Sequence, residues 1–515
     1  MASRPRLLGI AASLRNARWG AGNRLLIEAL AALPDRPALD AFLARESELH
    51  LENFIQAGRR DGKAFDEIYR NLKKSNGEVG LSNSEVALAA ALWAAEKDGV
   101  AVDHLSLSEY FSANGDLRRG DELRAKLVAA DGLLVSGPVY FGDRGSLAES
   151  LVQLIATDAD LRAALTGRLY GGISVGAKRN GGQETTLIYQ MIDMLGLGLI
   201  AVGNDSETTA QYGGTGHAGD VGTMHKDKYG IDTSMGVGRR MAKVLGALAD
   251  APKLADVPHV LFLILQDADG VALRETKAIV ARLGPRIAAT ILDVSDETIK
   301  RCIACDICPK AVDRDDVYRC VISASGDAMA DLHPALLHHD ALVPVVASPR
   351  DRARIVGNYQ TFIERSRYLR RGDYVWSDLV VAPLSFVDQA GFDSYPIRML
   401  TSFLRHHTIM TKPLVGHLVG GVLGNADELL ADLGSFLSVA ERATAGRLVD
   451  ARRHDTSYNP VGYILSAAKD AGDRKARQHH DMMEDRTRHL LAEARTRLMA
   501  ETSDAEPMVS NTEAG

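Results

Sequence analysis

Short uninterrupted apolar runs alternate along this chain with longer stretches whose apolar positions recur every three or four residues. The first run, Arg6-Leu-Leu-Gly-Ile-Ala11, predicts a buried strand. A polar loop over 12–22 leads into a helical pattern from Asn23, with Leu25, Leu26 and Leu30 on one face. From about Ser47 to Gly99 the pattern is helical and charged, which is long for one crossover and predicts a helical insertion. Val100–Leu107 alternates as a second strand, Ala130–Ser136 is a continuous buried-strand run, and Gly171–Gly176 is another. A glycine-rich loop and a helix over Thr186–Leu195 follow, then a fifth strand at Leu199–Gly203. Strand alternating with helix predicts an α/β fold with a doubly wound parallel sheet.

The pattern then begins again. Residues 249–258 are polar with two prolines and read as a linker. Strands are predicted at His259–Leu265, Ala288–Val294, Asp340–Ala347 and Asp378–Ala382. Both halves follow their third strand with a helix, at Ser146–Ile155 and Val356–Leu369. This order predicts an internal duplication: one α/β domain over 1–248, a second over 257–450, and a charged helical tail over 451–515 with a disordered end.

Composition narrows the function classes. The net charge is −7 and the pI about 6.1, which leaves no electrostatic footprint for nucleic acid or an anionic membrane. The N-terminus lacks the apolar core of a secretory signal, and no apolar run approaches the roughly 18 residues of a membrane helix. All four cysteines fall together, as Cys302, Cys305, Cys308 and Cys320, which argues against a secreted disulfide scaffold. A cytoplasmic protein is the expectation.

That clustering points to chemistry. Two-residue gaps let one loop turn three sulfurs towards a point, and Cys320 completes the four thiolates that a [4Fe–4S] cluster or a zinc site needs. Reduced, unliganded thiols are the plain alternative. Three loops at predicted strand ends add to the picture, since ligands of such sheets sit beyond the carboxyl ends of the strands. Ser13, Arg15 and Asn23 offer a hydroxyl, a guanidinium and an amide to an anion at a helix N-terminus. The run Gly137-Pro138-Val139-Tyr140-Phe141-Gly142 places paired aromatics between glycines, suited to a flat heterocycle. The loop over 176–186 supplies Arg179, Asn180 and Gly181, with glycines that let the backbone approach a ligand. His217 and His225 follow in a glycine-rich stretch read as a loop. The paired histidines 338–339, 406–407 and 479–480 lack a shared ligand spacing and are read as surface or helix-end residues. No nucleophile elbow or Walker loop appears.

The runs Gly-Ile-Ala-Ala-Ser-Leu-Arg at 9–15, Gly-Pro-Val-Tyr-Phe-Gly at 137–142 and Arg-Asn-Gly-Gly-Gln-Glu-Thr-Thr at 179–186 resemble those of the NAD(P)H-dependent FMN reductases of the flavodoxin-like fold. The cysteine segment over 299–308, with Cys320, is similar to that of the iron–sulfur flavoproteins within that family. The resemblance implies two tandem flavodoxin-like domains and a flavin-dependent oxidoreductase using NAD(P)H as co-substrate. It implies FMN phosphate in the Ser13–Asn23 loop, the isoalloxazine ring between 137–142 and 176–183, and a [4Fe–4S] cluster on Cys302, Cys305, Cys308 and Cys320, with zinc as the rival. A small-molecule substrate or redox acceptor and a homo-oligomer, with no nucleic acid or membrane partner, complete the expectation. Departures matter too: the first half has the flavin loops and no cysteine, whereas the second has the cysteines and two aspartates, Asp267 and Asp269, where a phosphate would sit. One FMN, in the first half, is therefore expected. Because the family's flavins lie at subunit interfaces, the second half is expected to present its cluster to the first half's FMN. The alternatives are an FMN enzyme acting on a dedicated organic substrate beside a structural zinc, and a non-catalytic electron carrier.

Overall fold

The computed structural model describes residues 4–15, 18–58, 79–112, 114–205, 210–249, 257–304, 318, 320, 322, 326–371, 374–377, 379–388 and 394–445. The tail over 451–515, His479, His480, Cys305 and Cys308 lie outside them. In the first half the strands are β1 (Arg6–Ala11), β2 (Ala101–Ser106), β3 (Gly132–Tyr140), β4 (Asp143–Arg144), β5 (Leu169–Gly176), β6 (Ile200–Ala201) and β7 (Gly214–His217). The second half supplies β8 (His259–Ala268), β9 (Ala288–Asp293), β10 (Ala341–Ser348), β11 (Ile355–Gly357), β12 (Val380–Val381), β13 (Leu384–Asp388), β14 (Ile409–Met410), β15 (Leu414–Val419) and β16 (Val422–Leu423).

The first half orders its strands β2-β1-β3-β5-β6, with β7 also beside β5, and every one of these pairs is parallel. The second half orders its own β9-β8-β10-β12-β14, again all parallel, with β13 and β15 carrying on the fourth and fifth positions. Each half thus has the order 2-1-3-4-5. The halves share one continuous sheet, joined where β6 runs antiparallel to β14 with Ala201 opposite Met410.

Side chains alternate across this sheet as the pleat requires. Leu7, Val260, Phe262 and Ile264 belong to one core; Leu8, Ile10, Leu261 and Leu263 belong to the other. Both cores run through both halves. On the first face the helix Asn83–Lys97 is buried along nearly its whole length, and it starts on a capping box in which Ser82 and Glu85 satisfy each other's backbone amides. Its neighbour is the helix Lys228–Ala249, and the two approach so closely that a Cβ on Gly238 would lie 2.1 Å from the Ala91 carbonyl oxygen. No helix among the described residues is long and apolar enough to cross a membrane.

Several local expectations are corrected. The helical insertion expected over 47–99 is helical in most of its described parts, the helices Arg36–Gly58 and Asn83–Lys97, the first beginning earlier than expected, and residues 59–78 lie outside the described ones. The expected fifth strand is split, and the glycine-rich stretch holding His217 is strand β7, because pairing to β5 overrides glycine's weak strand preference. The expected fourth strand of the second half continues past Ala382 as β13; Pro383, which has no N–H to donate, marks the break between β12 and β13. His406 and His407 follow the helix Tyr395–Leu404, as a helix-end role requires, yet they are buried rather than on the surface.

The antiparallel seam has one larger consequence. Strands of the two halves end on opposite edges of the sheet. The flavin loops expected after β1, β3 and β5 therefore face one way, and the cysteine segment after β9 faces the other. Six to eight strand spacings also separate them, roughly 30–40 Å at about 4.8 Å each. Within one chain, the described cysteines, Cys302 and Cys320, do not face the first half's crevice.

Candidate functional site

The crevice at the carboxyl edge of β3 and β5 is shaped by two turns. Strands β3 and β4 form a hairpin, Val139 opposite Arg144 and Tyr140 opposite Asp143. Its turn residues Phe141 and Gly142 have φ of 54° and 82°, the signature of a type I′ turn. Glycine accepts that conformation freely, but a phenylalanine is strained there. Phe141 is also wholly exposed and Tyr140 is 58% exposed, so the hairpin holds two aromatic rings out beyond the sheet. Facing it is the loop after β5. Gly182 has φ of 101°, and a Cβ there would lie 2.6 Å from the Gly142 Cα, so the two backbones touch.

That second loop is tied down from below. Buried Gln183 donates through Nε2 to the carbonyls of Lys178 (2.8 Å) and Gly216 (3.1 Å), and its own carbonyl accepts from the Ser174 hydroxyl at 2.8 Å. Arg179 is ion-paired with Asp227, donates to the Thr215 carbonyl at 3.2 Å and stacks 5.0 Å from the Tyr229 ring. Asp227 in turn accepts from the His217 amide at 2.7 Å. Arg179 is thus a fixed wall of the loop. Asn180, with φ of 59°, and Gly181 form its exposed tip.

At the other end of the crevice Ser13 is buried and accepts from the Arg15 amide at 3.3 Å, while the Arg15 guanidinium sits 5.2 Å over the Phe54 ring. The expectation for Asn23 is corrected. Asn23 is buried, and its amide nitrogen donates to Glu109 Oε2 at 3.2 Å. Glu109 Oε1 accepts from the Gly20 amide at 3.1 Å, so an internal carboxylate lies at the N-terminus of the helix Ala21–Ala31, and Arg119 balances it at 2.7 Å. Glu109 follows β2, whose predicted end lies on this same edge; that placement was the only sequence signal for it.

Behind Asn23 lies a buried pair that carries no local sequence signal. With the Asn23 nitrogen committed to Glu109, its oxygen faces His104 Nδ1 at 2.8 Å, which makes that ring nitrogen the donor and leaves Nε2 bare. Glu85 Oε1 lies 3.7 Å from His104 Nε2, and neither atom has a hydrogen-bond partner. Burial pushes His104 down to about 3, with Arg18 adding to the effect, and pushes Glu85 up to about 7, with Arg18 opposing. A neutral imidazole facing a carboxylic acid is the consistent protonation state at pH below 7.

These features fit a flat, anionic cofactor. The Gly142–Gly182 contact leaves no room for a side chain, two exposed aromatic rings stand beside it with Pro138 and Val139 half-buried, and Ser13 and Arg15 supply a hydroxyl and a cation. The corresponding crevice of the second half differs. There Asp267 accepts from the amides of Ala272 (2.8 Å) and Leu273 (3.2 Å), occupying the N-terminus of the helix Val271–Leu283. Beside it is a cleft of about 450 Å³ in whose lining Arg354 is paired with Asp269.

Of the four cysteines, Cys302 and Cys320 are described, both half-buried and neither in a disulfide. No group of three or more His, Cys, Asp or Glu side chains converges among the described residues. Both ends of the cysteine segment nonetheless meet: the carbonyls of Lys300 and Ile322 accept from the same guanidinium, that of Arg365, at 2.7 and 3.0 Å.

The strand order and this crevice define a flavodoxin-like α/β fold. Residues 75–207 match the NADPH-dependent FMN reductase family, a span that leaves out β1 and its loop. An iron–sulfur flavoprotein of Methanocaldococcus jannaschii is 36% identical over 127 residues, covering 24% of this chain and 64% of the relative. The iron–sulfur flavoprotein of Methanosarcina thermophila is 30% identical over 128 residues, covering 24% of this chain and 61% of the relative. Over this segment the chain is similar to FMN reductases and iron–sulfur flavoproteins, and it spans less than two thirds of the length of both relatives. Among solved structures, a flavone reductase overlaps 49% of this chain and 68% of its own at 12% identity and a TM-score of 0.27. An azoreductase from Bacillus anthracis overlaps 36% and 99% at 16% identity and a TM-score of 0.23. Both overlaps are slight.

Proposed function

We propose that this chain is an FMN-dependent oxidoreductase, NAD(P)H-linked, with one FMN in the crevice of its first half. The observation that carries the reading is the backbone contact between Gly182 and Gly142, which sets the two loops against each other beside the exposed Tyr140 and Phe141 in a segment that matches the FMN reductases. When bound, the flavin supplies the chemistry: it accepts two electrons as hydride and releases them singly. The chain's residues bind and orient. Ser13 and Arg15 take the phosphate, the tip at Asn180–Gly181 meets the ring edge, and the Tyr140–Phe141 hairpin covers the ring and excludes water. NAD(P)H as hydride donor, and a small molecule as acceptor, follow from the family.

The cysteines hold a [4Fe–4S] cluster in this reading, supported by the names of both relatives. Since the two sites open on opposite edges, electron exchange between them is a step between chains in a homo-oligomer. Metal and flavin analysis of anaerobically purified protein tests the cofactors: about one FMN and four irons per chain are expected, and protein without flavin refutes the proposal. Mixing tests the exchange. A Cys320→Ala chain that keeps its flavin, combined with an Arg15→Ala chain that keeps its cluster, should recover turnover with a one-electron acceptor; no recovery refutes the inter-chain step.

A further inference from the structure

Four buried polar side chains form one directed line from the core to the rim of the first half's crevice. They are Glu85 on the helix Asn83–Lys97, His104 on β2, Asn23 on the helix Ala21–Ala31, and Glu109 just beyond β2. Glu109 Oε2 accepts from the Asn23 amide at 3.2 Å, and Asn23 Oδ1 accepts from His104 Nδ1 at 2.8 Å. His104 Nε2 stands 3.7 Å from Glu85 Oε1. At the outer end Glu109 Oε1 accepts from the Gly20 amide at 3.1 Å and is ion-paired with Arg119. Each contact in the line fixes the next. A side-chain amide offers donors at one atom and an acceptor at the other, and a neutral imidazole has one of each. The proton at Glu85 therefore settles the direction of every bond out to Glu109.

Two directions are open. With Glu85 protonated, the His104 proton sits on Nδ1, Asn23 gives its nitrogen to Glu109, and Glu109 is held on the helix end. When one proton leaves the pair, a proton kept on Nδ1 would leave two bare lone pairs facing each other in the core, which is costly there. The remaining proton placed on Nε2 instead makes a charge-assisted bond to the Glu85 carboxylate, after the two atoms close by roughly 0.9 Å. Nδ1 then needs a donor, so Asn23 turns its amide over and sets an oxygen against the Glu109 carboxylate. The charges around this line are Arg18 and Glu46, paired at 2.8 Å and both acting on Glu85, Lys126, which with Arg18 acts on His104, and Arg119 at the outer end. Burial brings Glu85 to about 7, so both directions are reached near neutral pH. We propose that Glu85, His104 and Asn23 form a proton-operated latch that seats Glu109 on the N-terminus of the helix Ala21–Ala31 when Glu85 is protonated and releases it when Glu85 is ionised, so that an internal carboxylate competes there with the phosphate of a flavin. The competition rests on the reading that puts an FMN phosphate at this end of the crevice; the latch does not.

The full chain, free of flavin and labelled in its histidine rings, tests the latch. Long-range proton–nitrogen correlation spectra show which ring nitrogen of His104 is protonated; its signals are those lost in His104→Gln, or those in contact with Asn23 should that variant not fold. Nδ1 should carry the proton at pH 5.5 and Nε2 at pH 8.5. Glu85→Gln, whose side-chain amide donates to Nε2 at every pH, should keep the proton on Nδ1 throughout. A wild type with the proton on Nδ1 at both pH values overturns the latch. Flavin titration tests the competition. Glu109→Gln should bind FMN roughly tenfold more tightly than the wild type at pH 6 and by a smaller factor at pH 8.5. Riboflavin, which has no phosphate, should bind both proteins alike. An FMN affinity equal to the wild type's at pH 6, or a riboflavin affinity that rises as much as that for FMN, overturns the competition. Absence of FMN binding in wild type and variant alike sinks the flavin reading and the competition with it, and the histidine spectra still decide the latch.

Discussion

Replacing Gly182 by alanine tests the contact of the two loops with a single methyl group. Two costs arise. At φ of 101° an L-residue is strained by about 1–2 kcal/mol. The new Cβ would also stand 2.6 Å from the Gly142 Cα, a backbone atom that cannot rotate aside, so the hairpin must retreat by roughly 0.8 Å to reach ordinary van der Waals separation. The bound flavin needs both loops at their present spacing, and the free protein does not, so much of this falls on binding. About 1.4–2.8 kcal/mol corresponds to FMN affinity weakened roughly 10- to 100-fold. Titration of the apoprotein against quenching of FMN fluorescence measures it. Gly196→Ala, where a Cβ meets nothing within 4 Å, is the control and should bind as the wild type does. A Gly182→Ala protein with wild-type FMN affinity and an unchanged melting profile would refute the placement of the ring between these loops.

Three further outcomes concern stability. The Glu85 carboxyl, raised to about 7 in the fold against an ordinary value near 4.5, favours the folded state in its acid form; stability is lost as pH rises from 4.5 through 7, and Glu85→Gln should restore roughly 3 kcal/mol at pH 8 while changing little at pH 4.5, as urea unfolding at both pH values would show. Burial holds His406 down to about 3, so its neutral form is the folded one and stability is lost as pH falls below 6.5; His406→Gln should remove about 1.4 kcal/mol per pH unit of that acid loss, read as the difference in urea midpoints between pH 6.5 and 5. Gly238→Ala places a Cβ 2.1 Å from the Ala91 carbonyl oxygen and should force the helices Asn83–Lys97 and Lys228–Ala249 apart, lowering stability by about 1–3 kcal/mol in a thermal melt, whereas an unchanged melting temperature would mean the helices do not pack this closely.

The elements legible in the sequence are those whose pattern is local. Strands β1, β3, β5, β8 and β10 are continuous apolar runs, as strands buried on both faces must be, and they emerge where the pattern puts them. The turn at 141–142 and the loop at 176–182 were likewise visible in their glycines. What was not legible depends on partners far along the chain. Gly214–His217 is a strand only because β5 offers it a ladder. Asn23 looks like a phosphate ligand until Glu109, 86 residues away, takes its amide. Arg179 looks free until Asp227 pairs with it. Nothing in the residues around Arg365 signals that one guanidinium gathers Lys300, Tyr318, Ile322 and Asp327.

The largest departure from sequence reasoning is one of direction, and it turns on a single pair of short strands. A repeated 2-1-3-4-5 order says nothing about how the repeats meet. Joined through parallel fifth strands, the two halves would have opened on one edge, with flavin loops and cysteines on the same rim. The antiparallel pairing of Ala201 with Met410 instead relates them by an approximate two-fold axis through the seam. Residues that seal the seam agree with this: Arg240 on the first half's long helix donates to the His407 carbonyl at 2.5 Å, and a cleft of about 470 Å³ is shared by Thr166 and Leu199 of one half and Lys412 and Phe436 of the other. Under such an axis each half's crevice faces away from its partner's. One chain therefore offers the Tyr140–Phe141 opening on one edge and the cysteine segment on the other, and a second copy brings the two kinds of opening face to face only by docking edge to edge. The Phe141 ring, strained and wholly exposed at the rim of the first opening, is the group on that edge with the most apolar surface to gain from such docking.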